Sequence, residues 1–204
     1  LKTNSDYEII QMDNPDKSIF EKKMILKSPS FIMNVICHWK GLNEINQDYI
    51  NVSPNILENQ VVKKNLDKFT SFYDIPFSIS RKYDFLILKK GQTTPLFKIT
   101  DHRLLWANIY GKLKFAIFSP KNEKFLYPIK GDKNKSQIDH WKVSQLTENK
   151  EYPDYAQSKY IEIIFKKGHM FYLPFGWWMT IECLEDSLTI KIKSNSIFSM
   201  IFSQ

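Results

Sequence analysis

Side chains able to do chemistry are few and scattered. The chain has four histidines (His38, His102, His140, His169) and two cysteines (Cys37, Cys183). Asp101-His102, with His169 from far along the chain, carries the carboxylate and imidazole donors that a divalent metal takes. Such a set works only if both segments aim their side chains at one point, because ligand count and geometry must be met together. His38, beside Trp39 in an apolar run, reads as a hydrogen-bonded core histidine. His140-Trp141 suits either a partner contact or local packing. Cys183 has no base near it in sequence, and Cys37 has only His38, which a strand sends to the opposite face. Without a CxxC pair, neither a zinc knuckle nor a disulfide framework is expected. Both thiols read as small core residues in a reducing compartment. There is no Gly-x-Ser-x-Gly elbow and no His-Glu-x-x-His pair, and six glycines leave little material for a phosphate loop.

The elements that position these groups have to be built by 204 residues, which one domain over 1–204 accounts for. At 43% hydrophobic and 15% aromatic, the composition is too apolar for disorder. No apolar run approaches the roughly 18–20 residues of a transmembrane helix. The net charge of +7 is almost all lysine, 27 Lys against Arg81 and Arg103. Bidentate reading of phosphate or guanine favours arginine, so a solvated lysine surface is the plainer reading and a nucleic-acid face the alternative. A chain beginning at Leu1 is expected to be a processed or excised portion, which suits an organellar (mitochondrial) protein.

The pattern is mixed at first and then strongly β. Asn14-Pro15-Asp16 reads as a turn, 18–26 as a helix, 30–39 as a strand, 41–49 as a turn with a short helix, and 50–52 as a short strand. Ile56, Leu57, Val61, Val62, Leu66 and Phe69 have the spacing of an amphipathic helix over 55–72. A strand is expected at 85–88. Residues 104–110 and 114–118 read as a hairpin turning at Gly111. A short segment at 125–127 and a polar loop at 130–135 follow. Further strands are expected at 160–165, 171–173, 177–183 and 187–193, the last two joined by a turn at Glu185-Asp186. Alternation of Leu188, Ile190 and Ile192 with Thr189, Lys191 and Lys193 is the period of a half-buried strand. Many short strands after a more helical first third imply a β-sandwich or barrel with helical N-terminal decoration.

Three ordered blocks carry a resemblance. The first runs from Thr93-Thr94-Pro95-Leu96 through Leu104-Leu105-Trp106 and 108–120, with Gly111-Lys112 as a turn between apolar strands. The second holds Tyr127-Pro128, Ile138-Asp139 and Tyr152-Pro153-Asp154-Tyr155. The third is 168–179, in which Gly168, Pro174, Gly176, Trp177 and Trp178 form a strand–turn–strand motif. Over 29–193 the chain resembles the cupin-like/JmjC family of iron- and 2-oxoglutarate-dependent oxygenases, leaving 1–28 as an extension and 194–204 as a tail. The resemblance implies a double-stranded β-helix, a jelly-roll barrel. It also implies that the second block crosses the barrel mouth.

That family binds Fe(II) with two imidazoles and one carboxylate, leaving positions for 2-oxoglutarate and O₂. The resemblance sets Phe97, Ile99 and Met179 at the three ligand positions, or Lys98 and Thr100 for the first two if the loop is one residue longer. The co-substrate lysine position falls on Leu113, with Lys112 and Lys114 across the pleat and Lys191 or Lys193 as substitutes. It places residue 169 toward the turn, away from the metal. Phe and Ile cannot ligate, Lys98 would repel a cation, and a thioether is a soft donor. The reading is therefore a domain with no catalytic or metal-binding residues and no cofactor. It would serve as a structural or protein-interaction subunit beside other proteins. A divergent active hydroxylase or demethylase, and a lysine-rich nucleic-acid binder, are the alternatives.

Overall fold

A computed structural model describes residues 2–4, 8–13, 15–16, 18–19, 29–35, 66, 78–101, 103–143 and 150–196, with the backbone alone at 2–4, 78–81, 103 and 195–196. Among them are eleven strands: β1 (Lys2–Asn4), β2 (Ile10–Asp13), β3 (Ser30–Met33), β4 (Ser78–Leu88), β5 (Phe97–Lys98), β6 (Arg103–Phe118), β7 (Pro128–Ile129), β8 (Asp132–Ser136), β9 (Tyr160–Lys166), β10 (Met170–Pro174) and β11 (Trp178–Ser196). Two of them, β6 and β11, are long enough to belong to two sheets. The N-terminal half of β6 pairs with β10 and with the C-terminal half of β11, while its C-terminal half pairs with β9 and the first half of β11. One sheet therefore reads β2-β3-β10-β6-β11-β4 and the other β1-β9-β6-β11-β5-β8-β7. The result is the mainly-β, jelly-roll arrangement expected from the sequence.

Alternation along the strands then sorts the side chains into three layers. Leu113, Phe115 and Ile117 of β6, Ile161, Ile163 and Phe165 of β9, and Met179, Ile181 and Cys183 of β11 face Phe171, Leu173, Leu104 and Trp106 of the other sheet. This is the barrel interior. Outside the first sheet, Leu105, Ala107, Ile109, Leu188, Ile190 and Ile192 are covered by Val35 and Leu66. Outside the second, Ala116, Phe118 and Trp178 lie under Leu126, Ile138, Trp141 and Tyr155. The period-two pattern at 188–192 marks a strand covered on both faces, with Lys191 and Lys193 half-buried on the inner one.

Several expected turns are corners instead. Residues 104–110 and 114–118 are not a hairpin: they are one strand that bends at Gly111, because each half finds its partners in distant segments rather than in the other half. Glu185-Asp186 is likewise a bulged bend within β11. The two corners touch. Gly111 has φ +76°, and a Cβ there would stand 2.0 Å from the Asp186 carbonyl oxygen, so only glycine fits. The polar stretch 130–135 is not a loop but most of a hairpin, β7–β8. Residues 125–127 close a 3-10 turn over Pro120–Phe125. In the 30–39 segment the strand ends at Met33, before Asn34 at φ 54°. The helix expected at 55–72 is described only at Leu66, which is helical and fully buried; the remaining expected elements between 36 and 77, His38 and Cys37 lie outside the described residues.

Candidate functional site at the barrel mouth

The Gly168–Met179 segment folds as its residues suggest. Gly168 (φ +84°) closes the turn after β9, β10 follows, and Gly176 (φ +82°) turns the chain into β11. That second turn is held to the barrel by two backbone bonds: Gly176 N–H donates to the Ile99 carbonyl (2.8 Å), and Ile99 N–H donates to the Trp177 carbonyl (2.7 Å). The clamp sets β5 beside the start of β11, so that Phe97 faces Met179 and Lys98 faces Trp178 as register partners. Phe97, Ile99, Met179 and Leu113 all pack in the interior cluster; Met179 and Leu113 are fully buried, and Phe97 is partly so. Lys98 turns outward, 2.6 Å from Glu123 and over the Trp178 ring, and Thr100 is exposed.

The donor set at this mouth does not fit Fe(II). A benzyl, a branched alkyl and one thioether offer a single soft atom. Asp101 and His169 do not replace them. Asp101 follows Ile99 at the mouth and lies 3.5 Å from Lys193. His169 precedes β10 at the far end of the barrel, where its Nδ1 accepts from the Lys166 N–H and its ring edge meets Phe31. His102 lies outside the described residues. Among the described residues no three His, Cys, Asp or Glu side chains converge as a metal set.

The cupin-like domain family model matches residues 101–204, half of the chain. The chain belongs to the cupin-like domain family. The match begins two residues past Ile99 and takes in Met179. The chain is 31% identical over 104 residues to JmjC domain-containing protein D of Dictyostelium discoideum, covering 50% of this chain and 22% of that protein. It is 25% identical over 146 residues (71% of the chain, 29% of the relative) to the arginine-specific demethylase JMJ20 of Arabidopsis thaliana. It is 26% identical over 104 residues (50% and 24%) to lysine-specific demethylase 8 of Danio rerio. The chain thus spans less than a third of the length of these curated relatives.

The lysines of this cupin-like domain divide by face. Lys112 lies 3.6 Å from Glu185, and Lys114 bridges Glu182 (3.3 Å) and Glu162 (3.7 Å) on the outer side of the sheet. Lys193 pairs with Asp84 at 3.1 Å. Lys191 lies over the Trp106 ring, and burial lowers its pKa from the usual lysine value. Farther in, the polar groups serve the corner: Asn108 donates to the carbonyls of Gly111 and Phe165, and Thr189 donates to Asn108. Cys183 is buried with its thiol pKa raised by burial, which makes it a poor nucleophile.

A second set of buried polar groups lies outside the barrel, and sequence reading missed its extent. The short helix His140–Val143 and the 3-10 turn Pro153–Gln157 do not cross the mouth; they cover the outer face of the second sheet. His140 Nδ1 and the Tyr155 hydroxyl share a buried hydrogen bond, and His140 Nε2 lies 4.0 Å from a Glu162 oxygen. Burial, helped by the Lys114 charge, pushes the His140 pKa down to about 4, and burial pushes the Tyr155 phenol up. Trp141 Nε1 donates to Thr180, which donates to the Thr94 carbonyl. Lys114 sits 4.6 Å from the centre of the Trp141 ring. The His140-Trp141 pair is thus a packing staple. Its signal in sequence was only the adjacency of two bulky polar-tipped rings.

Proposed function

We propose that this cupin-like domain has lost iron and 2-oxoglutarate chemistry and serves as a structural or protein-interaction subunit of a larger assembly. The observation that supports this most is the pairing of Phe97 with Met179 across β5 and β11, with Ile99 beside them in the same apolar cluster. Filling such positions with packed apolar groups removes the desolvation that unliganded polar groups would suffer. Exposed Phe175, Ile87 and Ile164 supply apolar contact surface for partners.

The names of the relatives favour a second reading, an active hydroxylase or demethylase with a divergent site. Titration of the purified chain with Fe(II) and Mn(II), with 2-oxoglutarate turnover measured alongside, separates the two. The first reading expects no saturable metal binding and no turnover; stoichiometric iron with turnover would replace it by the second. Met179→His is expected to leave the chain unable to hold iron, because two further ligands are missing. Micromolar iron binding by that variant would show that Phe97 and Ile99 are not the companion positions.

A further inference from the structure

A cavity of about 450 Å³ opens beside the filled mouth, lined by Ser119, Pro120, Lys121, Asn122, Phe125, Gln157, Lys159 and Trp177. That volume lies within the roughly 300–1,000 Å³ of small-ligand pockets. Its walls come from three separate segments, two of which are tied to each other. The Asn122 side chain donates to Ser119 Oγ (3.0 Å) and accepts from the Lys159 N–H (2.7 Å), joining the end of β6 to the start of β9. Gln157 Nε2 donates to Asp154, fixing the amide at the rim. Trp177 is held by the backbone clamp to Ile99, so the site is formed before any ligand arrives.

The chemistry of the lining is one-sided. Trp177, Phe125 and Pro120 are the apolar members of the lining, and Lys121 and Lys159 are its charged members. A third lysine, Lys124, lies over the Phe125 ring. No carboxylate is among the eight lining residues. Aromatic walls beside lysines suit a flat ring that carries a negative group.

We propose that this cavity is a binding site for a small planar anion, with its ring against Trp177 and Phe125 and its charge between Lys121 and Lys159. The site is separate from the mouth residues Phe97, Ile99 and Met179, and it stands whether or not the domain is catalytic. Calorimetric titration of the full chain with adenosine monophosphate and with 2-naphthoate tests it, with adenosine and inorganic phosphate as controls. The expected result is saturable binding of at least one of the two planar anions below about 1 mM. Binding of adenosine and of phosphate alone should be weaker by about tenfold or more. The double variant Lys121→Glu, Lys159→Glu, its folded state checked by a cooperative thermal melt, should lose about tenfold or more in affinity. Phe125→Ala should weaken the planar anion and leave the response to phosphate unchanged. Binding of the phosphate source alone would point to nucleotides, and of naphthoate alone to aromatic carboxylates. The proposal is overturned if neither planar anion binds, if phosphate binds as tightly, or if the double variant binds unchanged.

Discussion

The two faces of the β9–β6–β11 sheet are built from alternate residues of the same strands, yet they treat polar groups in opposite ways. Inside, Ile117, Met179 and Ile181 meet Phe97 and Ile99 in a wall of carbon and one thioether. Outside, two buried hydrogen-bonded pairs, His140 with Tyr155 and Trp141 with Thr180, lie beside the half-buried Glu162. The inner face is dominated by apolar packing, and the outer face pins a long connection by specific polar contacts. Buried polarity in this cupin-like domain has been spent on attachment, away from the place where its family resemblance sets chemistry.

The comparison can be broken most severely at the corner that both faces share. Gly111→Ala forces a Cβ into the Asp186 carbonyl at a positive φ, and is expected to remove more than about 4 kcal/mol, read as loss of the cooperative urea transition. Next comes the inner face. Met179→Ala leaves a cavity in a fully buried site and should cost about 2–5 kcal/mol in denaturant melts. A loss below about 1 kcal/mol would mean that the mouth is loosely filled. On the outer face, pH is the lever. Below pH 6.5 an unfolded chain protonates His140, whereas the folded chain refuses that proton until about pH 4. Stability should therefore be flat above that window and fall by roughly 3 kcal/mol as pH drops through it, since the unfolded state binds more protons there. His140→Gln should flatten this slope relative to wild type; an equal slope in both proteins would move the proton uptake elsewhere. The smallest effect is expected from Lys114→Met, about 0–1 kcal/mol, because the pairs with Glu162 and Glu182 are partly solvated.

Legibility in the sequence followed the range of the interactions. Strand existence at 160–165, 171–173 and 187–193 was readable because side-chain alternation is local. Gly111 was readable as a bend and not as a corner: a glycine at positive φ serves both, and the choice depends on partners some 50 to 80 residues away in β9 and β11. At the mouth, the family resemblance left two registers open, Phe97 with Ile99 or Lys98 with Thr100, and the facing of Phe97 and Met179 depends on the β5–β11 pairing, which joins segments about 80 residues apart. The outer network was opaque because His140, Tyr155, Glu162 and Thr180 meet only after the connection folds back on the sheet. The polar run at 130–135 hid a two-stranded hairpin, since a peripheral ribbon with exposed lysines needs no apolar period.

The double membership of β6 and β11 has a consequence for how the molecule opens. Neither sheet can detach while the other stays whole, because each is threaded by the same two strands through the Gly111–Asp186 contact. Amide protons in the inner strands of both sheets should therefore exchange together, at the rate of global unfolding, as one block. The β7–β8 ribbon, attached through β5, should exchange first and independently.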